Sequence, residues 1–162
     1  MCKCLKWVVT IGLVGLVAAA VGCGGGAQER ASVPTTAGGD EVVEKGEIAW
    51  TYDYEAGLAA AREANKPVMV DVFATWCGPC KMLDENVFSR ADVAEASQDF
   101  VTIRVDGDQH PDTVNKLGVS GYPTVLFLTP EAKEIGRSVG AVPYSVMLKE
   151  MEKAKERYAT GS

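Results

Sequence analysis

The stretch from Pro67 to Met82, PVMVDVFATWCGPCKM, constrains the fold of this chain more than any other segment. Its first residues, Val68 to Phe73, are mostly apolar and β-prone, which is typical of a buried strand, and Asp71 is the one carboxylate among them. The residues after Cys80 favour a helix, and Pro79 suits a first helical turn because its missing N–H would have no partner there. A strand is therefore predicted to lead directly into a helix that begins at two cysteines.

Cys77 and Cys80 are predicted to lie at the amino end of that helix. The helix dipole and the free N–H groups of the first turn favour a thiolate, and Cys77 is the better placed, so we expect it to be the more reactive thiol. Two intervening residues also bring the sulfurs close enough to form a disulfide, so the pair can cycle between dithiol and disulfide. Zinc is the alternative, but it needs about four ligands, and the chain has no second CxxC and a single histidine, His110.

The WCGPC motif, with an aspartate six residues before its first cysteine, resembles the thioredoxin superfamily. A second motif follows in the right order: Gly121-Tyr122-Pro123-Thr124 resembles the cis-proline loop of that superfamily. The resemblance spans about residues 47–158 and is closest to membrane-linked, extracytoplasmic thioredoxin-like domains. It implies an α/β, thioredoxin-like fold with a central mixed sheet of four to five strands and helices on both faces.

The other predicted elements are compatible with that fold. Helical and strand patterns alternate along the chain, which by itself implies parallel pairing of the strands. The predicted strands are residues 48–50, 68–73, 100–105, 124–128 and 135–139, and the predicted helices are residues 54–65, 81–86, 90–98, 112–117 and 143–158.

The acidic loop from Asp106 to Asp112 invites a calcium interpretation, because its alternating acids imitate the start of an EF-hand loop. The rest of the pattern fails, since Leu117 stands where the bidentate glutamate should be and Pro111 does not fit. We therefore interpret the loop as a solvated turn with an exposed His110, and we expect no metal site.

The resemblance implies a mechanism in two steps. The Cys77 thiolate attacks a substrate disulfide, and Cys80 then resolves the mixed disulfide, so that the Cys77–Cys80 disulfide is the redox group and no further cofactor is expected. Asp71 lies in an apolar strand beneath the motif, where burial should raise its pKa, and it can take the Cys80 proton directly or through a water. The alternative is an inert buried carboxylate. The lysine that partners this aspartate in many thioredoxins has no predicted counterpart, since the matching position is Thr102.

Substrate binding is predicted around the first cysteine of the motif. A cis bond between Tyr122 and Pro123 would direct backbone groups toward an extended peptide. Trp76 and Tyr122 supply flat apolar surface, with simple packing as the alternative role for either ring. Gly78 and Pro79, between the two cysteines, complete the predicted substrate-binding residues.

The first 22 residues are predicted to form a secretory signal. Met1 to Lys6 carries two lysines and no acid, and Trp7 to Val21 is an apolar run of fifteen residues, too short for a comfortable membrane span. The residues Ala20-Val21-Gly22-Cys23 resemble the bacterial lipobox, which implies that Cys23 is acylated and becomes the mature N-terminus. Ordinary cleavage nearby and an uncleaved anchor are the alternatives.

The predicted organisation is a lipoprotein signal peptide (1–22), a lipidated Cys23 with a flexible linker (23–46), and a thioredoxin-like domain (47–159). The expected location is the extracytoplasmic side of a bacterial membrane. The outer membrane is slightly favoured, because Gly24 is not the acidic retention signal of some bacteria. A formal charge of −6 argues against a nucleic-acid partner. The expected partners are disulfide-containing protein substrates and a membrane electron donor, and we expect a monomer.

Several functions fit this pattern. A thiol-disulfide oxidoreductase that reduces extracytoplasmic proteins is the favoured one, with disulfide oxidation or isomerisation as the alternative, because Tyr122 before the proline also occurs in disulfide isomerase domains. A non-catalytic thioredoxin-like binding module would not need Cys77 and Cys80. A thiol peroxidase or redox sensor ranks last, because the chain shows no peroxidatic Thr-x-x-Cys arrangement.

Overall fold

The computed structural model describes residues 44–161. The predicted signal, Cys23 and most of the predicted linker lie outside the described residues. In chain order the elements are α1 (Tyr54–Ala64), β1 (Val68–Phe73), α2 (Gly78–Leu83), a π-helical segment (Asp84–Phe88), α3 (Ala91–Ser97), β2 (Val101–Asp106), α4 (Pro111–Lys116), β3 (Thr124–Leu128), β4 (Glu134–Val139) and α5 (Tyr144–Thr160).

Local signals set the ends of α1, the helix that precedes the cysteine strand. Asp53 caps it by accepting the N–H of Ala56 at 2.9 Å. Asn65 ends it in the left-handed conformation, with φ of 50°, which asparagine tolerates better than most residues. Pro67 follows two residues later and cannot continue a helix, so β1 begins at Val68.

The sheet has four strands in the order β2-β1-β3-β4, and it is mixed. β1 pairs in parallel with β2, whereas the β1–β3 and β3–β4 pairs are antiparallel. The inference from alternation that all strands pair in parallel was therefore wrong. For β3 and β4 the reason is that their connecting turn is too short for the crossover that parallel strands need. The predicted strand at residues 48–50 is absent as well, and the residue that follows it, Thr51, instead makes an isolated bridge with Ile103. A mixed sheet with helices on both faces confirms the predicted fold class.

The core lies on both faces of the sheet, and β1 contributes to each in alternation. Val68, Val70 and Val72 pack into a cluster with residues of α1 and α4. Met69 points to the opposite face and packs with residues of α2, the π-helical segment, α3 and α5. Asp71 lies two residues after Met69 and so shares this second face. The period of the strand thus directs the buried carboxylate toward the side of the sheet that carries the cysteine helix.

One apolar stripe of the last helix, α5, is buried in the core. Met147, Met151 and Ala154 are each at most 1% exposed. Gly161 ends the helix with φ of 68°, a conformation that glycine adopts without a steric penalty. Among residues 44–161, no helix has the length and apolar character needed to cross a membrane.

The last residues of the predicted linker contact the domain. The N–H of Gly46 donates to the carbonyl of Ser89 at 2.8 Å, and the N–H of Ala91 donates to the carbonyl of Glu44 at 2.9 Å. A side chain at Gly46 would collide with Ala94, since a Cβ there would lie 2.6 Å from its methyl group. Glu44 and Gly46 are therefore joined to the domain by backbone hydrogen bonds.

Candidate active site

The cysteine motif begins the helix α2, as its sequence indicates. Cys77 is the residue before the first helical turn, and its Sγ accepts the N–H of Cys80 at 3.1 Å. Pro79 lies in the first turn. The two sulfurs form a disulfide with an S–S distance of 2.07 Å and a Cα–Cα distance of 5.3 Å. The structure therefore shows the oxidised form of the pair, with the Cys77 sulfur hydrogen-bonded to one backbone N–H of the first helical turn.

Both cysteines are buried beneath a small apolar cover. Each is 3% exposed, and they cluster with Ala74, with Phe73 and Tyr122 packed against them. Gly78 and Pro79 between the cysteines are exposed, and no other heavy atom would come within 4 Å of a Cβ at the glycine. The motif thus presents its two central residues to solvent while its sulfurs are shielded.

Trp76 forms the exposed aromatic surface next to Cys77. Its side chain is 69% exposed, and its indole N–H donates to the carboxylate of Asp108 at 2.7 Å. Its ring meets the ring of Tyr122 edge to face, with a centroid distance of 6.1 Å. The indole is therefore held from two sides, which leaves a large apolar face open to a substrate.

The loop before β3 lies beside the cysteines. The peptide bond between Tyr122 and Pro123 is cis, and Pro123 is buried. A Cβ at Gly107 would lie 2.0 Å from the Tyr122 hydroxyl, so the tyrosine occupies the space that a side chain there would need. The absence of a side chain at Gly107 is what allows this ring to reach the cysteine cluster.

Asp71 is buried on the face of the sheet that carries α2, with 1% of its surface exposed. Arg104 donates from Nε to its Oδ2 at 3.0 Å, whereas its Oδ1 has no hydrogen-bond partner. Burial raises the pKa of Asp71 from 3.8 to about 7; the Arg104 charge lowers the pKa, and the nearby Asp84 carboxylate raises it. The carboxylate therefore exchanges a proton near neutral pH and keeps one acceptor oxygen free.

The expectation that Asp71 lacks a basic partner was wrong. In the register of β1 and β2, the residue opposite Asp71 is Arg104, while Thr102 hydrogen-bonds the carbonyl of Ala49 at 2.6 Å. Thr102 and Arg104 are two residues apart on β2 and so share a face of the sheet. An error of two residues in the predicted register therefore exchanged one for the other as the partner of Asp71. The sequence did contain a signal for this pair. Arg104 is a charged residue within the mostly apolar strand β2, just as Asp71 is within β1.

Arg104 also contacts a second carboxylate. Its Nη2 donates to Asp84, the first residue of the π-helical segment. The guanidinium lies over the ring of Phe73, 4.5 Å from its centroid, and 5.5 Å from the centroid of Trp50. One cation therefore links the buried Asp71 to Asp84, whose side chain is 39% exposed.

The acidic loop between β2 and α4 is a self-bonded turn, with one side chain that reaches the site. Asp106 accepts the backbone N–H of Asp108 at 3.0 Å and the side-chain amide of Gln109 at 2.9 Å, and His110 is exposed. No group of three or more potential ligands for a metal ion occurs among residues 44–161. Sequence reasoning missed Asp108, because nothing local indicates that its partner is Trp76.

Comparisons with known proteins agree with this geometry. Residues 49–130 match the family described as thioredoxin-like. The chain is 37% identical over 94 residues to thioredoxin 1 of Chlorobaculum tepidum, which covers 57% of this chain and 89% of that protein. It is 38% identical over 94 residues to thioredoxin-2 of Saccharomyces cerevisiae, covering 58% of this chain and 84% of that protein.

A solved structure gives the same result. The solution structure of a thioredoxin from Thermus thermophilus superposes with a TM-score of 0.65 at 29% sequence identity, covering 72% of this chain and 95% of the other. The family match over residues 49–130 includes β1, β2, β3, the cysteine pair and the loop of the cis peptide bond, whereas β4 (Glu134–Val139) follows it. With a disulfide-forming Cys77–Cys80 pair at the start of α2, the chain belongs to the thioredoxin-like family of redox proteins.

Proposed function

We propose that this protein is a protein-disulfide reductase that acts on the extracytoplasmic side of a bacterial membrane, to which a lipid on Cys23 tethers it. The observation that supports the chemistry best is the pairing of a buried disulfide at the start of α2 with a buried carboxylate. Asp71 has a free acceptor oxygen and a pKa of about 7. A general base works best when its pKa lies near the working pH.

The first step forms a mixed disulfide. In the reduced protein, the Cys77 thiolate attacks one sulfur of a substrate disulfide, and the other substrate sulfur leaves as a thiolate. The N–H of Cys80, which contacts the Cys77 sulfur in the oxidised form, is available to stabilise this thiolate. Cys77 is assigned as the attacking residue because it precedes the helix, where several N–H groups have no helical partner.

The second step releases the reduced substrate. Cys80 gives its proton to Asp71, directly or through a water, and the Cys80 thiolate attacks the Cys77 sulfur of the mixed disulfide. This forms the Cys77–Cys80 disulfide and frees the second substrate sulfur as a thiolate, which takes up a proton. The substrate disulfide has gained two electrons, and the protein dithiol has lost them.

Substrate recognition is proposed to be broad. Trp76 and Tyr122 supply apolar surface beside the sulfurs, and the exposed Gly78 and Pro79 leave room for an extended peptide. Backbone groups near the cis bond before Pro123 are available to pair with that peptide. Such a site contacts the backbone and apolar side chains, which suits many protein substrates.

The extracytoplasmic location is proposed from the amino-terminal sequence. A basic start, an apolar run of fifteen residues and Gly22-Cys23 precede the domain. A membrane electron donor would keep the dithiol reduced in an oxidising compartment.

Reduction of insulin disulfides by the purified, dithiol form tests the proposed activity. We expect one equivalent of dithiol to reduce one disulfide, with the Cys77–Cys80 disulfide as the protein product. A protein whose two thiols are free but which leaves insulin intact would contradict the reductase proposal and favour a binding module. An Asp112→Asn variant serves as a control, since this exposed acid lies on α4, outside the proposed site.

A further inference from the structure

We propose that Asp84 is a positioning residue, which shares the Arg104 guanidinium with Asp71 and thereby sets how readily Asp71 takes up a proton. The consequence for catalysis rests on the proposed role of Asp71 as the base of the resolving step.

The contacts of Arg104 show the sharing. Its Nε donates to Oδ2 of Asp71 at 3.0 Å, and its Nη2 donates to Oδ1 of Asp84. The guanidinium offers its donors in a rigid, planar fork, so it can hold two carboxylates at once. The rings of Phe73 and Trp50 lie against it. These contacts fix the cation between one buried and one partly exposed acid.

The charges in this group are unequal. One positive charge faces two carboxylates, so the group carries one net negative charge when both acids are ionised. Uptake of a proton by Asp71, which is 1% exposed, removes that negative charge from a poorly solvated position. If Asp84 were neutral, Arg104 and the ionised Asp71 would form a balanced pair, and Asp71 would keep its charge more readily.

Among residues 44–161, the charged groups that act on Asp71 are Arg104 and Asp84. Arg104 approaches from β2 and Asp84 from the π-helical segment, while the register neighbour on β3 is the apolar Val125. On α2 the nearby cysteines form a disulfide in the oxidised protein and do not titrate. The oxidised form therefore allows the titration of Asp71 to be measured without coupling to a thiol.

Asp84 is placed for this role by the helix that follows the cysteines. Its backbone N–H bonds to the carbonyls of Cys80 and Lys81, so it lies one turn after Cys80. Its side chain is 39% exposed, whereas the Arg104 side chain is 14% exposed. Arg104 thus connects a solvent-accessible acid to a carboxylate that solvent does not reach.

The test is an NMR titration of the Asp71 carboxyl carbon in the oxidised wild-type protein, Asp84→Asn and the control Glu85→Gln. Glu85 is the next acid on the same segment, is exposed, and makes no side-chain contact with Arg104 among the described residues. We expect Asp84→Asn to lower the Asp71 midpoint by on the order of one pH unit, the size of effect that a neighbouring charge produces. The control should leave the midpoint unchanged, and Asp84→Glu should restore the wild-type value. An equal midpoint in Asp84→Asn and wild type would overturn the proposal.

The same titration in an Arg104→Lys background tests whether Asp84 acts on Asp71 through the Arg104 guanidinium. Lysine presents a single ammonium group and does not reproduce the fork, so the shift caused by Asp84→Asn should shrink. A shift of unchanged size would show direct repulsion between the acids and would overturn the part assigned to Arg104.

The kinetic readout separates this inference from the proposed function. The rate at which Cys80 resolves a mixed disulfide on Cys77 should rise through the Asp71 midpoint with pH, and in Asp84→Asn this rise should move to lower pH. If the NMR midpoint moves and the rate profile does not, the effect of Asp84 on Asp71 is supported and the proposed base role of Asp71 is contradicted.

Discussion

At the scale of single residues, Asp71 differs from the other acids of residues 44–161 in being buried with one oxygen unpaired. Its pKa of about 7 lies above the value of 3.8 in an unfolded chain. Between these two values the folded protein binds a proton that the unfolded chain does not, so stability falls as the pH rises from about 4 to about 7 and then levels off. The ionisation of Asp71 therefore lowers the free energy of unfolding near and above neutral pH.

Replacing Asp71 with asparagine should stabilise the protein and slow the resolving step. An amide is easier to bury than a carboxylate, and the shift from 3.8 to about 7 corresponds to on the order of 4 kcal/mol above pH 7. The amide cannot accept the Cys80 proton. Urea unfolding between pH 4 and pH 9 and single-turnover rates measure the two effects. The variant should lose the fall in stability with pH, while Glu63→Gln, an exposed control on α1, should retain it. Unchanged stability and rate would make Asp71 a core residue only.

The two cysteines are equally buried in the oxidised form, but their positions relative to the helix differ. Cys77 precedes α2 and its sulfur accepts a backbone N–H, whereas Cys80 lies within the first turn. Cys77→Ser should therefore abolish reduction of a protein disulfide. Cys80→Ser should still attack and should accumulate mixed disulfides, visible on non-reducing gels. Equal trapping of substrate by the two variants would contradict these roles.

At the scale of elements, the site is assembled from the ends of separate segments. β1 and α2 supply the acid and the cysteines, the loop before β3 supplies Tyr122, and the loop after β2 supplies Gly107 and Asp108. The close approach of Tyr122 to Gly107 joins two of these loops. The relative position of the two loops should therefore depend on the absence of a side chain at Gly107.

Gly107→Ala should displace Tyr122 from the cysteine cluster. A Cβ at this position would lie 2.0 Å from the tyrosine hydroxyl, and relief of such overpacking typically costs about 1–3 kcal/mol. We expect a loss of stability of this size and a lower kcat/KM for a protein disulfide. Gly121→Ala is the matched control for stability, because nothing lies within 4 Å of a Cβ there. Equal behaviour of the two variants would show that the Tyr122 contact does not matter.

The same elements show which features local sequence can predict. The strand of residues 68–73, the helix that starts at the cysteines and the strand of residues 124–128 follow from periodicity, turn residues and the position of a proline. The partner of Asp71 depends on the register of two strands more than thirty residues apart, which periodicity does not specify. The hydrogen bond between Trp76 and Asp108 is equally distant in sequence. The π-helical segment overlaps the end of the predicted helix of residues 81–86, and no local signal in the sequence separates it from an α-helix.

At the scale of the whole molecule, the amino-terminal segment is proposed to decide where the redox domain works. Cys23→Ser should leave the protein without a lipid and release it from the membrane fraction, because one thioether-linked anchor is lost. Mass spectrometry of the mature N-terminus and detergent partitioning measure this change. Cys2→Ser is the matched control, since this cysteine lies in the predicted signal and should not affect the anchor. An unmodified N-terminus in the wild-type protein would contradict lipidation.

The direction of electron flow depends on how strongly the folded protein stabilises the Cys77 thiolate, because a very low thiol pKa stabilises the dithiol and makes the disulfide a strong oxidant. Gly78 and Pro79 place no charged or histidine side chain between the cysteines. Arg104, the cation of β2, is held by two carboxylates, Asp71 and Asp84. The sulfur of Cys77 therefore depends mainly on backbone N–H groups, and its stabilisation should be moderate.

Moderate stabilisation predicts a low reduction potential, near the value of about −270 mV for thioredoxin and far from the value of about −120 mV for the strongly oxidising periplasmic enzymes. Equilibration with glutathione buffers of known ratio, followed by thiol counting, measures the potential. A Pro79→His variant should have a higher, more oxidising potential, because an imidazolium beside the sulfur favours the thiolate. A wild-type potential close to the oxidising enzymes would overturn the reductase assignment and favour the alternative, oxidation or isomerisation of disulfides. A potential near thioredoxin that rises in Pro79→His would show that the neutral residues between the cysteines keep this protein a reductant.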